Sequence, residues 1–208
     1  MTARITLLNT NLSVFPLCLG TNVFGWSATE EESFEVLDAY YEAGGNFIDT
    51  ADMYSEWKPG NTGGESETII GKWMQSRGNR HEMVIATKVA KLSTRAGLSS
   101  SNIKLALDDS LRRLQTDHID LYYSHEDDQT VPLEQTLGTY GEVIGAGKVH
   151  LIGASNYSGA RLREAAEVSK ANNLPSYCAV QNQYNIMDRN PFESDVAPVL
   201  AELGISSI

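Results

Sequence analysis

Cysteine is nearly absent from this 208-residue chain: Cys18 and Cys178 are the two, each inside an apolar run and without C-x-x-C spacing. That argues against a disulfide framework and reads as two reduced core thiols in a cytoplasmic protein. Positive charge is also scarce. Sixteen basic residues face 27 acidic ones, a net charge of −11, which speaks against nucleic acid or an anionic membrane as a partner. No apolar run approaches the length of a membrane span. Met1 to Thr10 holds one arginine and no long apolar stretch of the signal-peptide kind. The phosphate-binding fingerprints are missing as well. There is no G-x-G-x-x-G, and Gly147-Lys148 runs into Val149 without the earlier glycine of a P-loop. His125 is followed by acidic residues, but no second histidine has ligand spacing, so no metal is expected.

What the chain does have is alternation. Arg4 to Leu8 and Leu12 to Val14 flank the polar turn Asn9-Thr10-Asn11 and read as a hairpin. Short apolar strands then follow at Leu17–Gly20, Asn46–Ile48, Met83–Thr87, Ile119–Tyr123, Val149–Ile152, Cys178–Val180 and Gly204–Ile208. Helical patterns separate them, one opened by Thr29 and the acidic run Glu30-Glu31-Glu32 in the manner of a capped N-terminus. Seven strands alternating with helices predict a parallel sheet with crossover helices. An open doubly wound sheet is the rival layout. Without its glycine fingerprint, a βα-barrel is favoured, as one domain over residues 1–208.

In such a barrel the chemistry gathers beyond the carboxyl ends of the strands. Those positions here are Gly20, Asp49, Lys88, His125, Ser155 with Asn156, and Gln181, and Tyr54 follows Asp49 on a loop. Each has a plain structural reading, as helix cap, solvated lysine or core histidine. Their coincidence at one mouth points to chemistry. A phenol titrating near 10 is a poor acid or base at neutrality. A neighbouring ammonium is expected to lower that value, a carboxylate to hold the ammonium, and a histidine to orient a carbonyl oxygen or pass a proton. The amide ends Asn156 and Gln181 suit a ligand that itself carries an amide.

The segments Leu19-Gly20-Thr21, Asn46-Phe47-Ile48-Asp49-Thr50-Ala51 with Tyr54, Ala86-Thr87-Lys88 and Asp120-Leu121-Tyr122-Tyr123-Ser124-His125 resemble the aldo-keto reductases. So do Gly147-Lys148-Val149, Ile152-Gly153-Ala154-Ser155-Asn156 and Gln181-Asn182-Gln183-Tyr184-Asn185. The resemblance runs from the hairpin to residue 208. It implies a TIM-type (β/α)8 barrel closed below by the hairpin and NADPH-dependent reduction of small carbonyl substrates. It also implies a catalytic tetrad at Asp49, Tyr54, Lys88 and His125. The cofactor would lie against Gly20, Thr21, Asp49, Ser155, Asn156 and Gln181, with Tyr184 near it. The family continues past its seventh strand, whereas this sequence stops there, so an incomplete barrel is expected, with open sheet edges that favour a homo-oligomer. The competing readings are a cofactor-binding regulatory protein similar to potassium-channel β subunits, an inactive fragment, and a metal-dependent barrel hydrolase.

Overall fold

The structure, a computed structural model, describes residues 4–208. Its frame is one parallel sheet of seven strands in sequence order: β3 (Leu19–Gly20), β4 (Phe47–Asp49), β5 (Val84–Val89), β6 (Ile119–Ser124), β7 (Val149–Ser155), β8 (Ala179–Gln181) and β9 (Ser206–Ser207). Strands β1 (Ile5–Thr6) and β2 (Ser13–Val14) form the expected hairpin ahead of it. The hairpin strands are shorter than the apolar pattern suggests. The Thr10 hydroxyl donates to the Leu7 carbonyl and accepts from the Leu12 amide, which pulls both ends into the turn. The helices are α1 (Glu30–Glu42), α2 (Glu65–Arg77), α3 (Ser100–Leu114), α4 (Leu133–Gly145), α5 (Gly159–Asn172) and α6 (Ala197–Leu203).

Three of the crossover helices begin at side-chain caps visible in the sequence. Thr29 caps α1 through the Glu32 amide while the Glu32 carboxylate reaches back to the Thr29 amide, a reciprocal capping box. Ser99 and Ser158 cap α3 and α5 in the same hydroxyl-to-amide fashion. The last helical stretch, expected over 191–203 despite Pro198, is helical throughout but not uniformly α. Pro198 has no N–H for the next intrahelical bond, and Phe192–Val196 takes π-helical turns before α6 begins.

The sheet curls so that its faces bury different clusters. Ile48, Ile85, Tyr122, Ile152 and Val180 face the helices and join the larger cluster with Leu107, Leu137 and Leu162. The alternate residues Phe47, Val84, Ala86, Leu121, Tyr123 and Ala179 line the concave face, where Leu7 and Val14 of the hairpin close them in. Burying each hairpin side chain contributes about 1.5–3 kcal/mol. Gly153 is needed at the centre: a Cβ there would stand 2.4 Å from the Tyr123 ring. This is a partial barrel with the architecture expected. Strands β3 and β9 are its two edges. Among the described residues no helix is long and apolar enough to cross a membrane. Cys18 and Cys178 are free and half-buried beside the concave cluster.

Candidate active site

The concave face brings the tetrad together. Parallel register sets Asp49 opposite Ala86, and the two-residue pleat puts Lys88 one step further along the same face. With only a methyl at 86, the lysine arm reaches back. Lys88 Nζ donates to Asp49 Oδ2 at 2.6 Å, to the Thr50 carbonyl at 2.9 Å and to the Tyr54 phenol oxygen at 2.9 Å. An ammonium has three protons, and all three are used, in a site where Lys88 is wholly buried. His125 follows β6 on the same face. Its ring stands 6.0 Å from that of Tyr54 at 73°, and its amide is held by the Val89 carbonyl at 2.8 Å.

Tyr54 owes its position to the loop before α2. Ser55 adopts a left-handed φ of 71°, and its hydroxyl donates to the Phe24 carbonyl at 2.7 Å. Asn61 ties the same loop to the Ser55 and Gly25 carbonyls. Trp57 packs edge-on to Tyr54 at 6.4 Å, and Trp26 edge-on to Trp57 at 5.6 Å, both tryptophans half-exposed. An aromatic wall rises above the phenol.

The electrostatics correct one expectation. Burial pushes the Tyr54 phenol above its ordinary value, and the opposing pull of Lys88 does not overcome it. Tyr54 therefore holds its proton at neutrality. Burial also works against the Lys88 ammonium, but Asp49 and then Tyr54 outweigh it and hold the lysine charged. Burial first, then Lys88 and Lys91, lower His125 to about 2, so its imidazole is neutral. Two buried polar atoms here lack a partner among the described residues, Asp49 Oδ1 and His125 Nδ1. The Tyr54 proton is loosely held too: its contact to Asp49 Oδ2 is 3.3 Å, long for a hydroxyl bond.

The expected cofactor residues fall into two groups. Ser155, Asn156 and Gln181 sit together at the ends of β7 and β8, where register pairs Ser155 with Gln181. Ser155 Oγ donates to the Gln181 carbonyl at 2.6 Å. Asn156, left-handed at φ 59°, donates from Nδ2 to the His125 carbonyl at 2.8 Å, which links this cluster to the tetrad. Gly20 is open at the end of β3. Thr21 is different: it is fully buried, and its amide and hydroxyl both go to the Asp49 carbonyl, at 3.1 and 2.8 Å. Its side chain braces Asp49 from behind and does not reach the mouth. Tyr184 is half-exposed and donates to Glu193 Oε1 at 2.7 Å.

Sequence reading missed a second buried layer behind the tetrad. Glu67 of α2, wholly buried, accepts from Thr87 Oγ1 at 2.5 Å and from Arg113 Nε at 2.6 Å. Asp52 lies beside it with neither carboxylate oxygen partnered among the described residues. Burial, then the Glu67 charge, raises the Asp52 carboxyl to about 8. The available signal was pleat parity, since Thr87 must face the helices if Lys88 faces the mouth.

The ordered set of strand-end groups has a counterpart among known proteins. Residues 16–208 match the profile of the Aldo/keto reductase family. The chain belongs to the aldo/keto reductase family. Among its relatives, a norsolorinic acid reductase of Emericella nidulans is 35% identical over 212 residues, covering 94% of this chain and 53% of the relative. An uncharacterised oxidoreductase of Bacillus subtilis is 35% identical over 208 residues, 96% of this chain and 63% of its own. An NADP(+) aryl-alcohol dehydrogenase of Phanerodontia chrysosporium is 33% identical over 222 residues, 94% of this chain and 54% of its own. This aldo/keto reductase chain thus spans about half the length of the fungal relatives it matches.

Proposed function

We propose that the protein reduces aromatic aldehydes or ketones with NADPH, Tyr54 being the general acid. The observation that carries this reading is the trifurcated Lys88 ammonium. Because Lys88 donates into the phenol oxygen, the Tyr54 proton points away from the ammonium, and its only contact, 3.3 Å to Asp49 Oδ2, is loose enough for it to turn to an oxygen at the mouth. A carbonyl oxygen placed there takes that proton as the carbon is reduced. The phenolate left behind is stabilised by the ammonium 2.9 Å away, and Asp49 keeps that ammonium in place at 2.6 Å. Neutral His125 is free to donate an N–H to the same carbonyl oxygen and fix its approach. The Trp26–Trp57 wall supplies an apolar face for an aryl group, in keeping with the aryl-alcohol dehydrogenase among the relatives.

The residues present fit a nicotinamide. Asn156 Oδ1 and the Gln181 side chain are uncommitted among the described residues at a mouth whose neighbouring polar atoms are unpaired. Ser155, Asn156 and Gln181 would hold the carboxamide, and NADPH when bound supplies the hydride. We place the reaction in a reducing cytoplasm, where the two thiols stay free. Titration with NADPH, followed by quenching of tryptophan fluorescence, and loss of NADPH absorbance with benzaldehyde-type substrates test the reading. Saturable quenching with turnover is the expected result. Binding without turnover on any aryl carbonyl would favour the cofactor-binding regulatory reading instead.

A further inference from the structure

At the opposite end of the sheet three side chains converge that the proposed reaction does not use. His118 precedes β6, Asp120 is the second residue of β6, and His150 the second of β7. Parallel pairing of Ile119 with Val149 brings the two histidines side by side. Their rings stack 4.6 Å apart at 25°. His118 Nε2 lies 3.9 Å and His150 Nδ1 3.6 Å from Asp120 Oδ1, and the three donor atoms all fall within 4.8 Å of one another. Tetrahedral ligands on nitrogen–metal bonds of about 2.0–2.1 Å stand about 3.3 Å apart, so a small side-chain rotation closes the set. His150, with half of its side chain exposed, is free to make it.

Two of the donors are oriented from behind. His118 Nδ1 is 2.6 Å from Asp117 Oδ1. An ionised carboxylate only accepts, so Nδ1 carries the proton and Nε2 keeps its lone pair for the common point. Asp120 Oδ2 accepts from Arg80 Nη2 at 2.8 Å and from the Ile85 amide at 2.9 Å, which leaves Oδ1 facing the histidines.

We propose that His118 Nε2, Asp120 Oδ1 and His150 Nδ1 form a binding site for a divalent cation of the zinc, nickel or copper class, with a fourth position open to water. Two imidazoles and one carboxylate suit these borderline ions, whereas magnesium and calcium require an all-oxygen shell. The site's role is structural. It joins β6 to β7, and through Arg80 and the Ile85 amide it reaches the start of β5, on the barrel end where residues serve stability rather than catalysis.

The test uses the full chain without an affinity tag, stripped with chelator and titrated with Zn2+ by calorimetry, alongside thermal melts. One equivalent should bind, the Tm should rise with free Zn2+, and Mg2+ should do neither. His118→Gln and His150→Gln should each weaken Zn2+ binding at least tenfold. Because His150 is exposed, His150→Gln should melt like the parent in the absence of metal, which keeps the test sound if His118→Gln misfolds. No Zn2+ binding up to millimolar concentration would overturn the proposal. So would binding undiminished in His150→Gln, which would put the cation on other residues, and binding that leaves the Tm unmoved or lower would overturn the structural role.

Discussion

At one end of the sheet Asp49 is tied to Lys88 at 2.6 Å; at the other Asp120 is tied to Arg80 at 2.8 Å. Both pairs are largely shielded, and both carboxylates stand on strands of the same sheet. They differ in what surrounds them. The Arg80 fork is spent on scaffold: Nε on Thr116, Nη1 on the Met83 carbonyl, and Nη2 on the His118 carbonyl and Asp120. Lys88 instead donates to a phenol that faces an opening, beside an imidazole nitrogen and a carboxylate oxygen with no partner among the described residues. Unpaired buried polar atoms cost stability, on the order of 1–3 kcal/mol each; several are spread through the described residues, Asn79 beside Arg80 among them, but only at the mouth do they adjoin a buried ammonium and a phenol. An ion pair alone says nothing about chemistry; its unsatisfied neighbours do.

The most drastic way to break this contrast is Lys88→Met. It leaves Asp49 buried and uncompensated, which should destabilise the fold by about 3–5 kcal/mol. The double variant Asp49→Asn with Lys88→Met should recover a good part of that in urea titrations, and neither should reduce carbonyls. A Lys88→Met protein as stable as the parent would show that the pair is not electrostatically closed. Next in size is Tyr54→Phe. It retains the ring against Trp57 and removes the proton, so turnover should fall on the order of 10²-fold or more with NADPH quenching retained, while the Lys88 proton left without its phenol acceptor lowers stability by about 1–3 kcal/mol. Residual activity close to the parent's would remove Tyr54 from the acid role.

Asp120→Asn probes the quiet end. Losing the charged acceptor of Arg80 and of the Ile85 amide should cost about 1.5–3 kcal/mol of stability. The turnover number should stay put, and a drop in turnover at unchanged stability would mean that the two ends are coupled. At neutral pH and below the effect of Asp52→Asn is smaller, and it carries a pH signature. Its carboxyl lies at about 8 in the folded chain against an ordinary carboxylate value near 3.8. Between those values the folded chain binds a proton that the unfolded chain has released. Stability is therefore lost as pH rises through that window, and an uncharged amide is spared the loss. Melts of Asp52→Asn should exceed the parent's by on the order of 10 °C at pH 9 and by clearly less at pH 5. An equal gap at both values would show that Asp52 is not the titrating group.

Much of this was legible in one dimension. Strand periodicity and helix caps are local, so the hairpin, the alternating elements and their order could be read from Ile5 to Ser207 with boundaries off by a few residues. The tetrad was legible for the same reason: Asp49, Lys88 and His125 each end an apolar strand, and a parallel barrel sends such ends to one mouth. Distances, burial and pairing across the sheet are not local. Only tertiary structure turned Thr21 inward against the Asp49 carbonyl, where a motif alone suggested cofactor contact. Only burial set the direction of the Tyr54 shift, because desolvation depends on everything packed around a group while a charged neighbour can be guessed from the strand ends. His118 and His150 have no ligand spacing in sequence. The register of β6 against β7 brings them within reach of Asp120, a juxtaposition that exists only once the sheet has formed.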